Sequence, residues 1–450
     1  MLKLQKENIL KKLTFENILF VYIILQPIID IITSLCVRNI SPSLTLGMFI
    51  RSIFMVFLMI YTLVKVDKKS RYKILAYYGV IAIYCIYFIV NSYLRYNSTM
   101  LFVQIKGLVK TFYYPITLAS ILILFKNTNF HISSKAIYIS LILYVLPIVI
   151  CKYFSIGYNT YQFKENLGSI GLFYAGNEIA AIIAIIAPIC FTRFILEEFN
   201  TLNFIVCIIT VLAMLEIGTK VGFLAISSLL ALTLIISFIR FIKDKKLYKH
   251  FISILSLVLI TIMLLGNTSV GSNLKIKPLI SINAQSSTKS KSKKSNKTYA
   301  EEVKESPDIL LSGRNDFYKK AKQNYVQSST KYKLLGLGYI SEEEGSIIET
   351  KLVEIDYFDV FFCHGIIGTI IYLIPLAIIL FTLIKKFFKN FITNMQNVKL
   401  IFILYSILIA FGIALMAGHI FTAPAVSMFL ILNLLELFII LNKKEDLKYE

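Results

Sequence analysis

The chain has 450 residues, of which 57% are hydrophobic and 16% charged, with a mean hydropathy of +0.73. A soluble domain is roughly 45–50% apolar and about 25% charged, so an ordinary cytoplasmic enzyme, a disordered chain and a collagen-like chain are excluded. The formal net charge of +21 does not indicate nucleic acid, because the basic residues sit in short clusters between apolar runs, as helix ends at a phospholipid surface do.

Lys3, Lys6, Lys11 and Lys12 precede the first apolar run, and no small-residue cleavage site follows, so this run reads as a retained span and not a signal peptide. A helix crosses the hydrocarbon in about 20 residues. Apolar runs of that order lie near 17–37, 44–64, 72–92, 101–125, 136–154, 170–192, 202–217, 221–242, 251–267, 356–384, 398–417 and 421–441. The expected fold is an all-α polytopic membrane protein of about 12 transmembrane helices. Glu216, Gly218 and Lys220 interrupt one long apolar stretch and predict a tight turn between two spans. With the N-terminus inside, 24 Lys and Arg fall in the cytoplasmic termini and loops, against six in the short outer loops and their borders. That bias predicts a plasma-membrane protein with both termini cytoplasmic and one long loop outside. The six cysteines lie in or beside apolar runs without CxxC spacing, so neither a disulfide framework nor a metal site is expected, and no cofactor.

Three regions follow: spans over 1–265, an extracytoplasmic loop over 266–355, and spans with a cytoplasmic tail over 356–450. Within the loop, 281–298 is rich in Ser, Lys and Asn and is expected to be a flexible tether. From 306 to 355 an ordered subdomain is expected, with Ser312 capping a helix through Phe317, Ala321 and Tyr325, then the glycine-bearing turn LLGLGY.

A charge at mid-bilayer costs at least ~2.5–3.5 kcal/mol on insertion scales, so each needs a reason. Asp30, Lys106, Lys110, Glu178, Glu216 and Lys220 are the candidates, with Asn177 beside Glu178. Lys106 and Lys110 share a helical face and repel each other unless an anion or a carboxylate lies nearby. The plainer reading pairs Asp30 or Glu178 with one of these lysines and simply pins helices together. The sharper reading gathers them into a cationic pocket below the loop, suited to a lipid phosphate or diphosphate headgroup.

Several segments resemble a known family. The loop carries SGR at 312–314, NDFYKKA at 315–321 and GLG at 336–338, and closes with EIDYFDVFFCHGIIG at 354–368. Upstream lie QPIID at 26–30, GLFYAGNEIA at 171–180 and GTKVGFLA at 218–225. In order and spacing these resemble the bacterial O-antigen ligase and polymerase family, in a branch like that of Gram-positive bacteria. The resemblance implies a GT-C-like architecture and a metal-independent transfer of a glycan from undecaprenyl diphosphate to a hydroxyl on a glycan or wall acceptor. The ligase branch has a histidine–asparagine pair, nine residues, then two glycines three apart. Matching those glycines to Gly365 and Gly368 puts Glu354 at the histidine position and Ile355 at the asparagine position, so a carboxylate stands where the ligases have histidine.

The chemistry asks for a base on the incoming hydroxyl and cations on the departing diphosphate. Glu354 is the expected base and Arg314 and Lys220 the expected cations, with Lys106, Lys110 and Asn177 as further binding residues. His364 is an alternative base or a residue at a span end. Asp356 and Asp359 either orient acceptor hydroxyls or favour the helix dipole as first-turn acids. The expected activity is a polysaccharide polymerase, with ligase-type transfer to a different acceptor as one alternative and a transporter or lipid flippase as another. Partners are the lipid-linked oligosaccharide, its acceptor and membrane lipids, and not nucleic acid.

Overall fold

The computed structural model describes residues 14–40, 45–96, 98, 100–161, 167–274, 314–343 and 346–442. The tether at 281–298 and the Ser312 cap therefore lie outside the described residues, as do both extreme termini. Where the apolar runs were read, helices stand: α1 Phe15–Asn39, α2 Leu46–Lys65, α3 Lys68–Tyr96, α4 Leu101–Thr128, α5 Ser134–Tyr153, α6 Gly176–Leu196, α7 Thr201–Ile217, α8 Lys220–Lys243 and α9 Tyr248–Leu264. The loop segment contributes α10 Arg314–Gln327 and α11 Thr330–Leu335; α12 Asp356–Lys389, a short α13 Phe391–Gln396, α14 Val398–Met416 and α15 Pro424–Asn442 complete the chain. Among the described residues, 11 helical segments are long and apolar enough to cross a membrane, and α7 is a shorter apolar helix of 17 residues.

Helices are the expected outcome because hydrocarbon offers no hydrogen-bond partner, so each spanning backbone must satisfy itself. Polar caps mark the ends: the side chain of Ser133 accepts from the Ala136 N–H, Asn200 from Leu202 N–H and Thr219 from Gly222 N–H. The turn read at 216–220 takes its shape from Gly218, whose φ of 77° is the left-handed conformation that closes α7 before Thr219 opens α8. One boundary differs from the sequence reading. The segment read as a span from 170 begins instead with β2 Ser169–Gly171, which pairs with β1 Tyr158–Asn159, and helix starts only at Gly176. Apolarity alone does not separate a short buried strand from a helix start.

The most buried helices are α4, α6 and α15. Ala180, Ala181, Ala184 and Ala187 let neighbouring helices approach α6 closely. A polar clamp joins α6, α14 and α15: Ser406 Oγ and Asn433 Nδ2 both donate to the Ile185 carbonyl, at 2.6 and 3.1 Å, and Asn433 also donates to Ser406. Peripheral helices expose Ile83, Leu94, Ile235 and Phe381, as lipid-facing surfaces should.

The loop segment is fastened to α12 at a break. Gly365 has φ 62° and ψ −166° inside α12, which leaves the carbonyls of Phe362 and Cys363 for other donors. They accept from the N–H groups of Leu337 and Gly338, at 2.9 and 3.0 Å. The GLG and HGIIG segments thus interlock, and a Cβ on Gly336 would collide with the Cys363 carbonyl. Beyond them β3 Ile340–Glu343 and β4 Ser346–Glu349 form a hairpin, while Tyr318 and Tyr325 of α10 pack on Phe358, Phe361 and Phe362.

Candidate active site

The C-terminal end of α14, the N-terminal ends of α6 and α8, the residues entering α12 and the start of α10 converge at the loop end of the bundle. There Tyr161, Asn177, Lys220, Leu224, Arg314, Glu354, Gly412 and Met416 line a cavity of about 350 Å³. The residues expected to be base, cations and one binding group, namely Glu354, Arg314, Lys220 and Asn177, thus face one space.

Glu354 sits where the chain enters α12, with φ of 62°. A left-handed backbone costs an L-residue of this size roughly 1–2 kcal/mol, and such residues recur at functional sites. The surroundings enforce it. Asp359 Oδ1 accepts from the Val353 N–H at 2.7 Å, and Gly418, itself at φ 63°, packs against the Glu354 carbonyl where a Cβ would not fit. The Glu354 side chain remains 39% exposed toward the cavity, while that of Arg314 is 10% exposed. Arg314 Nη2 donates to Glu354 Oε2 at 3.2 Å and to the Ala417 carbonyl at 3.5 Å. Its Nε is buried and, among the described residues, meets no acceptor. An unmade hydrogen bond of this kind costs about 1–3 kcal/mol.

Lys220 is the first residue of α8, a place where helix N–H dipoles disfavour a cation. Ammonium and helix end therefore add their positive potential on the same side. Part of the wall is apolar and open: Leu224 and Met416 are exposed, and nothing lies within 4 Å of where a Cβ on Gly412 would be. On the polar side is Tyr161, whose phenol burial pushes above its ordinary pKa.

Other expected site residues are not brought to this cavity. Asp356 is 1% exposed, and its carboxylate accepts from the N–H groups of His419, Ile420 and Phe421 and from Thr422 Oγ1, at 2.6–3.0 Å. Its oxygens hold the 419–422 turn and are taken up. Asp359 is likewise spent on the backbone before α12. His364 is neither at an interface nor in the cavity: it is fully enclosed, with Nδ1 3.2 Å from Tyr84 Oη and Nε2 2.8 Å from Tyr339 Oη. The Tyr339 hydroxyl also bonds Thr111 at 2.6 Å, and burial drives its pKa well above the usual value. This ring cluster locks the loop segment onto α3, α4 and α12. Lys106 and Lys110 face a different cavity. Glu216, buried, accepts from Ser269 Oγ at 2.6 Å and pairs with Lys152 at 3.4 Å.

The family model described as O-antigen ligase like membrane protein matches residues 12–444. The chain belongs to this family. A search of curated proteins finds no match. As an O-antigen ligase-like membrane protein it is a multi-pass membrane protein, and membership points to a glycosyltransferase-like enzyme of glycan transfer in cell-envelope biosynthesis.

Sequence reasoning missed Tyr161 and Gly418, for which the sequence carries no signal, and Arg51, for which it did. An arginine inside the second span is an intramembrane charge by the rule applied to the others. It is 5% exposed, and its Nη2 donates to Asp30 Oδ1 at 2.6 Å. Asp30 therefore pairs with an arginine of α2 and not with a lysine.

Proposed function

We propose that the protein transfers a glycan from undecaprenyl diphosphate to a glycan hydroxyl at the outer face of the plasma membrane, as a polysaccharide polymerase. The reading rests on one observation: a half-exposed carboxylate, an arginine and a helix-end lysine line a single cavity with a partly apolar wall. In this reading both termini are cytoplasmic and the loop segment is external, which the excess of Lys and Arg in the opposite loops supports.

In this mechanism the prenyl chain lies along the wall at Leu224, Gly412 and Met416, and the diphosphate takes hydrogen bonds from Arg314 and Lys220. Glu354 accepts the proton of the acceptor hydroxyl as its oxygen bonds to the anomeric carbon. The bond from that carbon to the diphosphate oxygen breaks, and undecaprenyl diphosphate leaves as an anion held by the two cations. Asn177 hydrogen-bonds a sugar or phosphate oxygen. No metal is required, because the side chains supply the positive charge.

The test is a purified full-length protein supplied with a polyprenyl-diphosphate oligosaccharide, with products sized by electrophoresis. Longer glycans are expected, at a rate unchanged by a chelator. Hydrolysis or lipid translocation without a new glycosidic bond would overturn the reading.

A further inference from the structure

A smaller cavity, of about 180 Å³, lies at the end of the bundle opposite the loop segment, among the N-terminal ends of α5 and α14 and the C-terminal halves of α6 and α15. Asn177 of the candidate active site and Arg193 of this cavity stand 16 residues apart on α6, about 24 Å at the helical rise, so the two are separate. Its walls are largely apolar, with Ile137, Ile189, Leu196 and Ile403 on the lining. The uncharged polar groups among them are spent on the helices themselves: Thr192 Oγ1 donates to the Pro188 carbonyl at 2.7 Å, and Asn433 belongs to the clamp on Ile185 and Ser406. An apolar cavity of about 150 Å³ inside a protein stays dry and takes up a hydrocarbon guest. At this end of a spanning bundle, lipid chains are the hydrocarbon within reach.

Four charged side chains share the lining: Arg193 and Glu197 at the end of α6, Lys399 of α14 and Glu436 of α15. Arg193 Nε donates to Glu197 Oε2 at 2.9 Å, and Lys399 Nζ donates to Glu436 Oε1 at 2.6 Å. Two cations and two carboxylates leave the lining without net charge, so it does not select a bare anion. The pairs nevertheless keep unused capacity of both signs. A guanidinium carries five N–H donors, and among the described residues neither Nη group of Arg193 meets an acceptor. The Arg193 Cζ lies 4.8 Å from the centroid of the Tyr138 ring, which fixes the fork in place. Glu436 Oε2, in turn, meets no donor among the described residues.

We propose that this cavity holds a bilayer phospholipid whose headgroup joins a phosphate to a primary ammonium. The phosphate oxygens take the two Nη groups of Arg193, whose planar fork matches them. The ammonium donates to Glu436, as a choline group, which has no N–H, cannot. One acyl chain lies between Ile189 and Ile403. A headgroup with no net charge suits a lining with none, and the chain fills a gap between the α5–α6 and α14–α15 pairs that would otherwise cost packing. The site is independent of the transfer reading, because no residue of the first cavity takes part in it.

The experiment places the full-length protein in nanodiscs of equimolar phosphatidylethanolamine, phosphatidylcholine and phosphatidylglycerol and counts the lipids retained per chain by native mass spectrometry. One phosphatidylethanolamine is expected, favoured about tenfold or more over either other lipid. R193Q should lower its retention about tenfold, and I403F, which fills the cavity, should do the same. E436Q should still retain one phospholipid but no longer distinguish phosphatidylethanolamine from phosphatidylcholine. Arg193 and Glu436 lie at the rim with part-exposed side chains, so R193Q and E436Q should keep the wild-type far-ultraviolet circular dichroism spectrum, which separates a lost contact from a lost fold. Free phosphoethanolamine in excess should displace none of the lipid. A wild-type chain that retains no lipid, equal retention of all three, or unchanged retention in R193Q would overturn the proposal. Preference for phosphatidylglycerol, or displacement by phosphoethanolamine, would overturn it too and identify an anionic lipid or a soluble phosphate ester as the occupant.

Discussion

Glu354 and Asp30 each contact an arginine in the lining of a cavity of about 350 Å³, and each cavity carries one more cation than carboxylate. They are held in opposite ways. Asp30 lies between Arg51 and Tyr144, with a side chain 13% exposed and both oxygens engaged. Glu354 makes one longer contact to Arg314, is 39% exposed, and sits on a strained backbone that aims it at the cavity. A saturated acid pins helices; an acid with spare lone pairs, presented by strain, can take a proton. The same residue types thus form a saturated pair on one side of α6 and a more exposed, less committed pair on the other.

Substitutions can break that contrast. Glu354→Gln should cut the transfer rate by about 10²–10⁴. The melting temperature should move much less than for a buried pair, because the Glu354 side chain is 39% exposed and a pair open to solvent contributes about 0–1 kcal/mol. Equal stability losses in Glu354→Gln and Asp30→Asn would erase the distinction. Asp30→Asn leaves Arg51 buried without a counter-charge and should destabilise by about 3–5 kcal/mol, seen as early unfolding in a detergent thermal-shift scan. Asp356→Asn turns an amide group toward backbone N–H donors and should cost about 2–3 kcal/mol in the same scan, with slower transfer because the 419–422 turn and Gly418 no longer brace Glu354. Gly336→Ala forces a Cβ into φ 95° and should cost about 1–3 kcal/mol, read as easier proteolysis of the loop segment with the bundle intact.

The helices were legible because the hydrocarbon thickness dictates run length, and each apolar run read along the chain is helical over most of its length. The start of the 170–192 segment was not, because strand pairing with 158–159 is a contact between distant residues. Among the candidate site residues, Glu354, Arg314, Lys220 and Asn177 were chosen for charge or motif, and the structure brings them to one cavity. Lys106 and Lys110 were chosen on the same chemistry and face the other cavity. Asp356 looked available as a surface acid, but the 419–422 turn, far along the chain, uses its oxygens. His364 looked like a span-end residue until the 336–339 segment folded over it.

Sequence alone determined that this chain lives in a membrane, that its unusual charges cluster toward one end of the spans, and that a carboxylate and basic residues stand near the loop. Only the tertiary structure decided how those charges divide. Consecutive helical residues point about 100° apart, so Asn177 and Glu178 diverge into separate cavities. Which neighbours meet each face depends on the packing of α1, α2, α4, α8, α12 and α14 around α6, and no spacing within one segment encodes that.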